Sequence, residues 1–268
     1  MRRIPDLFDL TFRKALVTGG AGHLGRAIAE ALVELGARVV VTDRCTTDGE
    51  GRARELCAWA GREDAARFLP CDLADEAATR KLVAEAAAEL GGLDLMIHNA
   101  AYTGASSIPG WAEPFPDQTV QAFEAACRVN TTSAFVLAQE AAPLLGVCGS
   151  GALIFIASIY GFLAPQWDLY EGTGMANPLG YNVSKAGLVQ MGRYLATALA
   201  PVRVNCISPG GIARGQPEAF RERYAARTPL ARLACEEDFK GAVAFLASEA
   251  SAYVTGQNLI VDGGWGVW

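Results

Sequence analysis

Short apolar runs alternate along the chain with longer stretches in which apolar positions recur at helical spacing. The short runs predict β-strands: "KALVT" at 14–18, "RVVVTD" at 38–43, "RFLPCD" at 67–72, "LDLMIHN" at 93–99, "GALIFIAS" at 151–158 and "VRVNCIS" at 202–208. Between them the periodicity predicts helices over 22–35, near 50–60, over 75–90, from about 117 to 145 and over 180–199. Residues 218–250 read as mostly helical, and "NLIVD" at 258–262 supplies a seventh strand. Strands that are apolar on both faces and joined by helices imply a parallel sheet covered on both sides, with right-handed crossovers. The expectation is an α/β fold in which a single doubly wound parallel sheet of about seven strands, flanked by helices, accounts for one domain over residues 1–268. Pieces rich in Pro and Gly near 103–116 and 161–180 read as loops above that sheet.

Composition narrows the classes of partner. With 51% hydrophobic residues in 268 the chain has ample material for a core, and its net charge of −6 comes without any long block of like charge. Nucleic acid and anionic membranes are therefore not expected partners. The longest wholly apolar run, "ALIFIA" at 152–157, is far shorter than a membrane helix. Arg2 and Arg3 are followed by Ile4, Pro5 and Asp6 rather than by an apolar segment, so a cytoplasmic location is expected. The seven cysteines (45, 57, 71, 127, 148, 206, 235) form no C-x-x-C pair and the only histidines are His23 and His98, which suits reduced structural thiols and no metal site.

Chemistry enters at the first strand-to-helix turn, "VTGGAGHLGRAIAE". Gly20, Gly22 and Gly25 satisfy G-x-G-x-x-G directly after a strand and at the start of a helix, the context of a dinucleotide site in a Rossmann-type sheet. The glycines let backbone approach a pyrophosphate, and the helix start offers unpaired N–H groups to an anion. Strand two then ends at Asp43, whose carboxylate suits ribose hydroxyls and repels a 2′-phosphate, favouring NAD. Arg44 beside it is able to pair with that phosphate, which leaves NADP open. Asp72, after strand three, fits either an adenine edge or a helix N-cap region.

A second constellation lies in "GYNVSKAG" at 180–187, which sets Tyr181 four residues ahead of Lys185. On a helix the two share a face and present a phenol and an ammonium to one cleft. An ammonium ~4 Å away at an effective dielectric near 20 favours a phenolate by up to ~4 kcal/mol, enough to bring a tyrosine toward neutral pH as an acid or base.

These residues, together with "HNAA" at 98–101, "RVNTTSAF" at 128–135, "IFIASIYG" at 154–161, "VRVNCISPGG" at 202–211 and "VDGG" at 261–264, make the chain resemble a short-chain dehydrogenase/reductase over nearly its full length. The resemblance implies Tyr181 as the acid/base, Lys185 lowering its pKa and holding the nicotinamide ribose, Ser158 hydrogen-bonding the reacting oxygen, and Asn130 anchoring a water that relays protons. It implies a dinucleotide site made of Gly19, Gly20, Gly22, His23, Leu24 and Gly25, then Asp43, Arg44, Asp72, Leu73, Asn99 and Ala100, with Tyr181, Lys185, Pro209, Gly210 and Ile212 at the nicotinamide end. NAD(P)-dependent interconversion of a secondary alcohol and a carbonyl is the implied activity. A 3-oxoacyl thioester reductase, a sugar epimerase or dehydratase that retains its NAD, and a non-catalytic dinucleotide sensor are the alternatives.

Three departures from the family pattern bear on the substrate. "TGGAGHLG" places His23 where the shorter-chained branch has its middle glycine, and Arg214 stands where a threonine is common. Arg214 fits either an anionic substrate or an exposed flap at about 212–232. The connection from Ser158 to Tyr181 is long, and its 163–177 segment offers Trp167, Asp168, Tyr170, Glu171 and Met175 to a small-molecule substrate or to a subunit contact. Aromatics beside carboxylates suit a hydroxyl-rich ligand, and this loop with the "GGWGVW" terminus resembles a subgroup linked to surface-sugar and nonulosonate pathways. The substrate residues expected are Trp167, Tyr170, Glu171 and Arg214, and the substrate a sugar derivative. The family further implies a homodimer or homotetramer, through helices 118–145 and 180–199 and the apolar tail Trp265–Trp268.

Overall fold

In a computed structural model of the chain, residues 1–102, 108–147 and 149–268 are described. Cys148 and the 103–107 part of the first expected loop lie outside them. The helices are α1 (Ile4–Phe8), α2 (His23–Glu34), α3 (Gly49–Ala60), α4 (Glu76–Leu90), α5 (Val120–Cys127), α6 (Ser133–Val147), α7 (Leu179–Ala198), α8 (Glu218–Arg227) and α9 (Lys240–Ala247). The strands are β1 (Lys14–Thr18), β2 (Arg38–Asp43), β3 (Ala66–Pro70), β4 (Leu95–His98), β5 (Ala152–Ile156), β6 (Arg203–Pro209) and β7 (Asn258–Val261). All pair in parallel, in the order β3-β2-β1-β4-β5-β6-β7.

Neighbouring residues on a strand point to opposite faces, and both faces are apolar here. Val17, Val39, Val41, Ile97 and Ile154 join Ile28 and Leu32 of α2, Leu56 of α3 and Leu246 of α9 in one core layer. Leu16, Val40, Met96, Leu153 and Phe155 face the other way, onto Leu82 of α4, Leu137 of α6 and Leu188 of α7. Each such side chain contributes roughly 1.5–3 kcal/mol when buried, so the two layers clamp the sheet between them. Strand order reverses between β1 and β4, which opens a crevice at the carboxyl ends of those strands.

Two expected helices differ. The 117–145 helix is split into α5, a π-turn at Arg128–Thr132 and α6. The Ser133 N–H donates to the Arg128 carbonyl, five residues back, and the Asn130 carbonyl meets the buried His98 ring at 3.1 Å. Insertions of this kind cost helix regularity and recur at functional sites because they re-aim one residue. The 218–250 stretch breaks after α8, since Thr228 precedes Pro229 and takes an extended conformation. The chain then returns to pair Ala234 with Ile212 in an isolated parallel bridge.

Candidate active site

At the end of β1 the backbone of Gly19 takes φ +65°, a value that disfavours a side chain, and turns back toward α2. A Cβ on Gly25 would lie 2.0 Å from the Gly19 carbonyl oxygen, so the helix approaches the strand as closely as only glycine permits. Gly20, expected at the cofactor, instead abuts Val41: a Cβ there would stand 2.6 Å from the Val41 Cβ, which makes it a packing glycine. Gly22 caps α2 without any side-chain hydrogen bond, so the first-turn N–H groups face the crevice uncapped.

The crevice is a cleft of about 1670 Å³, larger than a drug-sized pocket and sufficient for a dinucleotide with a second small molecule. Gly19, Gly22, His23, Leu24, Gly25, Asp43, Arg44, Asp72, Leu73, Asn99 and Ala100 line it, together with Pro209, Gly210, Ile212 and Arg214 and with Ser158, Tyr181 and Lys185. Asp43 buttresses the turn, accepting from the Ala21 N–H at 3.2 Å and the Arg44 N–H at 2.9 Å. Asp72 accepts from the Ala74 N–H at 2.9 Å, while the N-cap of α4 is Asp75. Asn99 ties β4 to β1, donating from Nδ2 to the Thr18 and Gly19 carbonyls at 3.1 and 3.2 Å.

Tyr181 and Lys185 project from the first turns of α7, and Ser158 stands at the end of β5 with its Oγ accepting from the Tyr160 N–H at 3.2 Å. Ser158 shares the cleft with Tyr181 and opposes the rise in its phenol pKa. Lys185 is 2% exposed; its Nζ donates to the Ile156 carbonyl at 2.6 Å and lies 5.6 Å from the centre of the Tyr181 ring. Burial pushes the Tyr181 phenol above its ordinary value, against the opposing effect of Ser158. Burial also lowers Lys185 to about 8. Desolvation is the largest cause at both groups, and the Lys185 ammonium directs a proton at a backbone carbonyl.

Asn130 lies behind the cleft wall rather than on it. Its Oδ1 accepts from the Tyr102 N–H at 2.6 Å and its Nδ2 donates to Ser184 Oγ at 2.8 Å, so both ends of the side chain are engaged in joining the π-turn to α7. The geometry makes it a positioning residue. His98 supports the same turn. Thr18 Oγ1 accepts from the Asn99 and Ala100 N–H groups, so its own proton goes to His98 Nδ1 at 3.1 Å. His98 Nε2–H then donates to the Asn130 carbonyl, and burial holds the ring neutral by lowering its pKa to about 3.

Of the expected substrate residues, Tyr170 and Arg214 line the cleft, whereas Trp167 and Glu171 do not. The 3₁₀ turn at Trp167–Leu169 buries Leu169 and leaves Trp167 60% exposed, its ring tilted against Tyr170. The Glu171 and Asp168 carbonyls accept from Arg223 of α8. The Asp168 carboxylate lies 3.8 Å from Arg227, so neither acidic residue of this loop lines the cleft as the hydroxyl-rich reading required. Arg214 pairs with Glu236 at 3.2 Å, and Glu236 also stands 4.0 Å from His23 at the start of α2, which sets Arg214 toward the glycine turn. The 212–232 segment is strapped down: Phe220, Tyr224 and Trp265 stack in series, Tyr170 lies tilted against Phe220, and the Gly211 N–H donates to the Tyr224 hydroxyl at 2.6 Å. Trp265 is thus buried inside the chain and unavailable to a subunit contact, while Trp268 stays exposed with its indole N–H on the Arg227 carbonyl.

Comparison with known proteins decides the family. Residues 19–266 match a family model described as enoyl-(acyl carrier protein) reductase. Cis-4-hydroxycyclohexanecarboxylate dehydrogenase of Sinomonas cyclohexanicum is 33% identical over 259 residues, 94% of this chain and 96% of that one. The chain is a short-chain dehydrogenase/reductase. Sorbose reductase sou1 of Schizosaccharomyces pombe is 32% identical to this dehydrogenase/reductase, covering 97% of it and 98% of the relative. The solved NADPH-dependent 3-quinuclidinone reductase of Rhodotorula rubra superposes with a TM-score of 0.87 at 29% identity, covering 100% of this chain and 96% of its own. The chain is accordingly an NAD(P)-dependent oxidoreductase that uses a nicotinamide dinucleotide, and the uncapped α2 and glycine-limited turn fit that group. No helix among the described residues is long and apolar enough to cross a membrane, and no described cluster of His, Cys, Asp or Glu could hold a metal ion. Sequence reasoning passed over Tyr160, Asn177, Phe220 and Glu236; their only signal was position near Ser158, Tyr181 and Arg214 in the fold.

Proposed function

We propose that this enzyme interconverts a secondary alcohol and a carbonyl compound, with NAD preferred and Tyr181 exchanging the proton. The observation that carries this reading is the meeting of Tyr181, Ser158 and Lys185 in the cleft that also holds the glycine turn. When bound, the dinucleotide supplies or accepts hydride. The Tyr181 hydroxyl donates its proton to the substrate oxygen on reduction and recovers it on oxidation. Ser158 donates to the same oxygen and stabilises the charge that grows on it. Lys185, steadied by the Ile156 carbonyl, keeps a cation at the Tyr181 ring. Since burial keeps the phenol protonated at neutral pH, the site is set to donate to a carbonyl oxygen there. Asp43 at the end of β2 supports NAD by repelling a 2′-phosphate, with Arg44 exposed beside it.

A panel of ketones, keto sugars and the matching alcohols, followed by nicotinamide absorbance with NADH and NADPH, tests this. Net NADH consumption at neutral pH is expected, with alcohol oxidation gaining about tenfold per pH unit as the raised Tyr181 begins to ionise. Conversion without net cofactor change would point instead to an epimerase, and a strong preference for NADPH would overturn the role given to Asp43.

A further inference from the structure

In the cleft wall, Tyr160 and Tyr170 place their hydroxyls 2.7 Å apart, and Asn177 donates from Nδ2 to the Tyr170 hydroxyl at 2.9 Å. The amide cannot turn round, because Asn182 Nδ2 donates to Asn177 Oδ1 and so fixes which end is the acceptor. Asn177 is 6% exposed, and all three residues line the cleft. A proton count then constrains the ligand. Two phenols own two protons; one closes the Tyr160–Tyr170 hydrogen bond, in whichever sense it runs. Among the described residues neither hydroxyl donates to any other protein acceptor, and Asn177 brings a donor rather than an acceptor. One O–H is left over. Burial pushes Tyr160 far above the ordinary tyrosine range, so the pair stays neutral. Tyr181 and Ser158 line the same cleft, which puts the spare donor in one cavity with the reacting end.

We infer that the Tyr160–Tyr170 pair is a specificity subsite that recognises a second, uncharged oxygen of the substrate, a hydroxyl, ether or carbonyl apart from the reacting one; this rests on the reaction proposed above. A carboxylate is disfavoured at this place because the basic side chains that line the cleft are engaged with other partners or stand away from the pair. Lys185 donates to Ile156, Arg214 pairs with Glu236, His23 and Arg44 stand at the glycine turn and the end of β2, and Arg128 is exposed at the π-turn. An anion would exchange water for a neutral phenol beside Phe220 and Met175, a poor trade. A neutral oxygen gives the spare proton a partner, and an analogue without that oxygen leaves it unpaired.

Three ketones that differ at one position test the subsite: 4-hydroxycyclohexanone, 4-methylcyclohexanone and 4-oxocyclohexanecarboxylate. Their dissociation constants from the protein–NAD complex are read by ligand-observed NMR, and turnover by NADH oxidation in parallel. Wild type is expected to bind the hydroxy ketone about tenfold more tightly than the methyl ketone, the size of one neutral hydrogen bond. Each of Tyr160→Phe and Tyr170→Phe retains one hydroxyl and keeps part of that preference, whereas the double variant loses it. A ratio of two affinities on one protein is insensitive to the fraction folded. Equal affinities in wild type, tightest binding of the carboxylate, or a preference that survives in the double variant would overturn the subsite. Preference without turnover of any ketone would sink the proposed reaction and leave the subsite standing.

Discussion

Lys185 and Tyr181 sit four residues apart on α7, yet burial shifts both away from the ionised pair that their spacing alone implies. Coulomb attraction raises the charged population of both partners, whereas burial lowers it, and here burial prevails at each. The Lys185 Nζ donates to the Ile156 carbonyl and stands 5.6 Å from the centre of the Tyr181 ring. A stability consequence follows with a definite sign. Lys185 has a folded pKa of about 8 against an ordinary 10.5, so between those values the unfolded chain binds more protons and stability rises with pH. Below about 8 the full cost of burying the ammonium is present, on the order of 3 kcal/mol. Lys185→Met should therefore exceed wild type most at neutral pH, and the gap in urea midpoint should narrow from pH 8 to 10.5. A gap that stays constant over that window would contradict the burial argument.

At the level of elements, β1, its glycine turn and α2 were legible because each step follows from local chemistry: an apolar strand, glycines where backbone is crowded, then helical spacing. Gly25→Ala tests that crowding. The added Cβ would meet the Gly19 carbonyl at 2.0 Å and Asn99 Nδ2 at 2.9 Å, so the helix start must shift. Overpacking of this kind costs about 1–3 kcal/mol, and NADH affinity measured by fluorescence should fall tenfold or more. Wild-type affinity with wild-type stability would contradict the close approach. The π-turn was not legible, because its cause is long-range: His98, 32 positions upstream of Asn130, reaches its carbonyl from β4. Nothing in the periodicity of 117–145 registers a partner on another element. The 163–177 loop was partly legible for a similar reason. Its aromatic residues marked a wall, but which of them turn inward depends on Leu169 anchoring the turn and on Arg223 and Arg227 drawing Asp168 and Glu171 outward.

For the whole molecule, seven strands and their parallel order reflect two-sided apolar runs, and that pattern survives any local error at strand ends. The reversal between β1 and β4 gathers residues from sequence positions as distant as Gly19, Ser158 and Arg214 into one cleft. What the fold adds to the sequence is the wall of that cleft, where Tyr160, Tyr170 and Asn177 select the ligand that Tyr181 and Ser158 act upon. The central claim is that the Tyr181 hydroxyl carries the proton of an alcohol–carbonyl interconversion. Single-turnover oxidation of NADH with a ketone substrate, comparing wild type with Tyr181→Phe at saturating cofactor, tests it most directly. The account predicts unchanged NADH affinity and a rate lower by about 10²–10⁴-fold; a variant that binds NADH and oxidises it at the wild-type rate would contradict it.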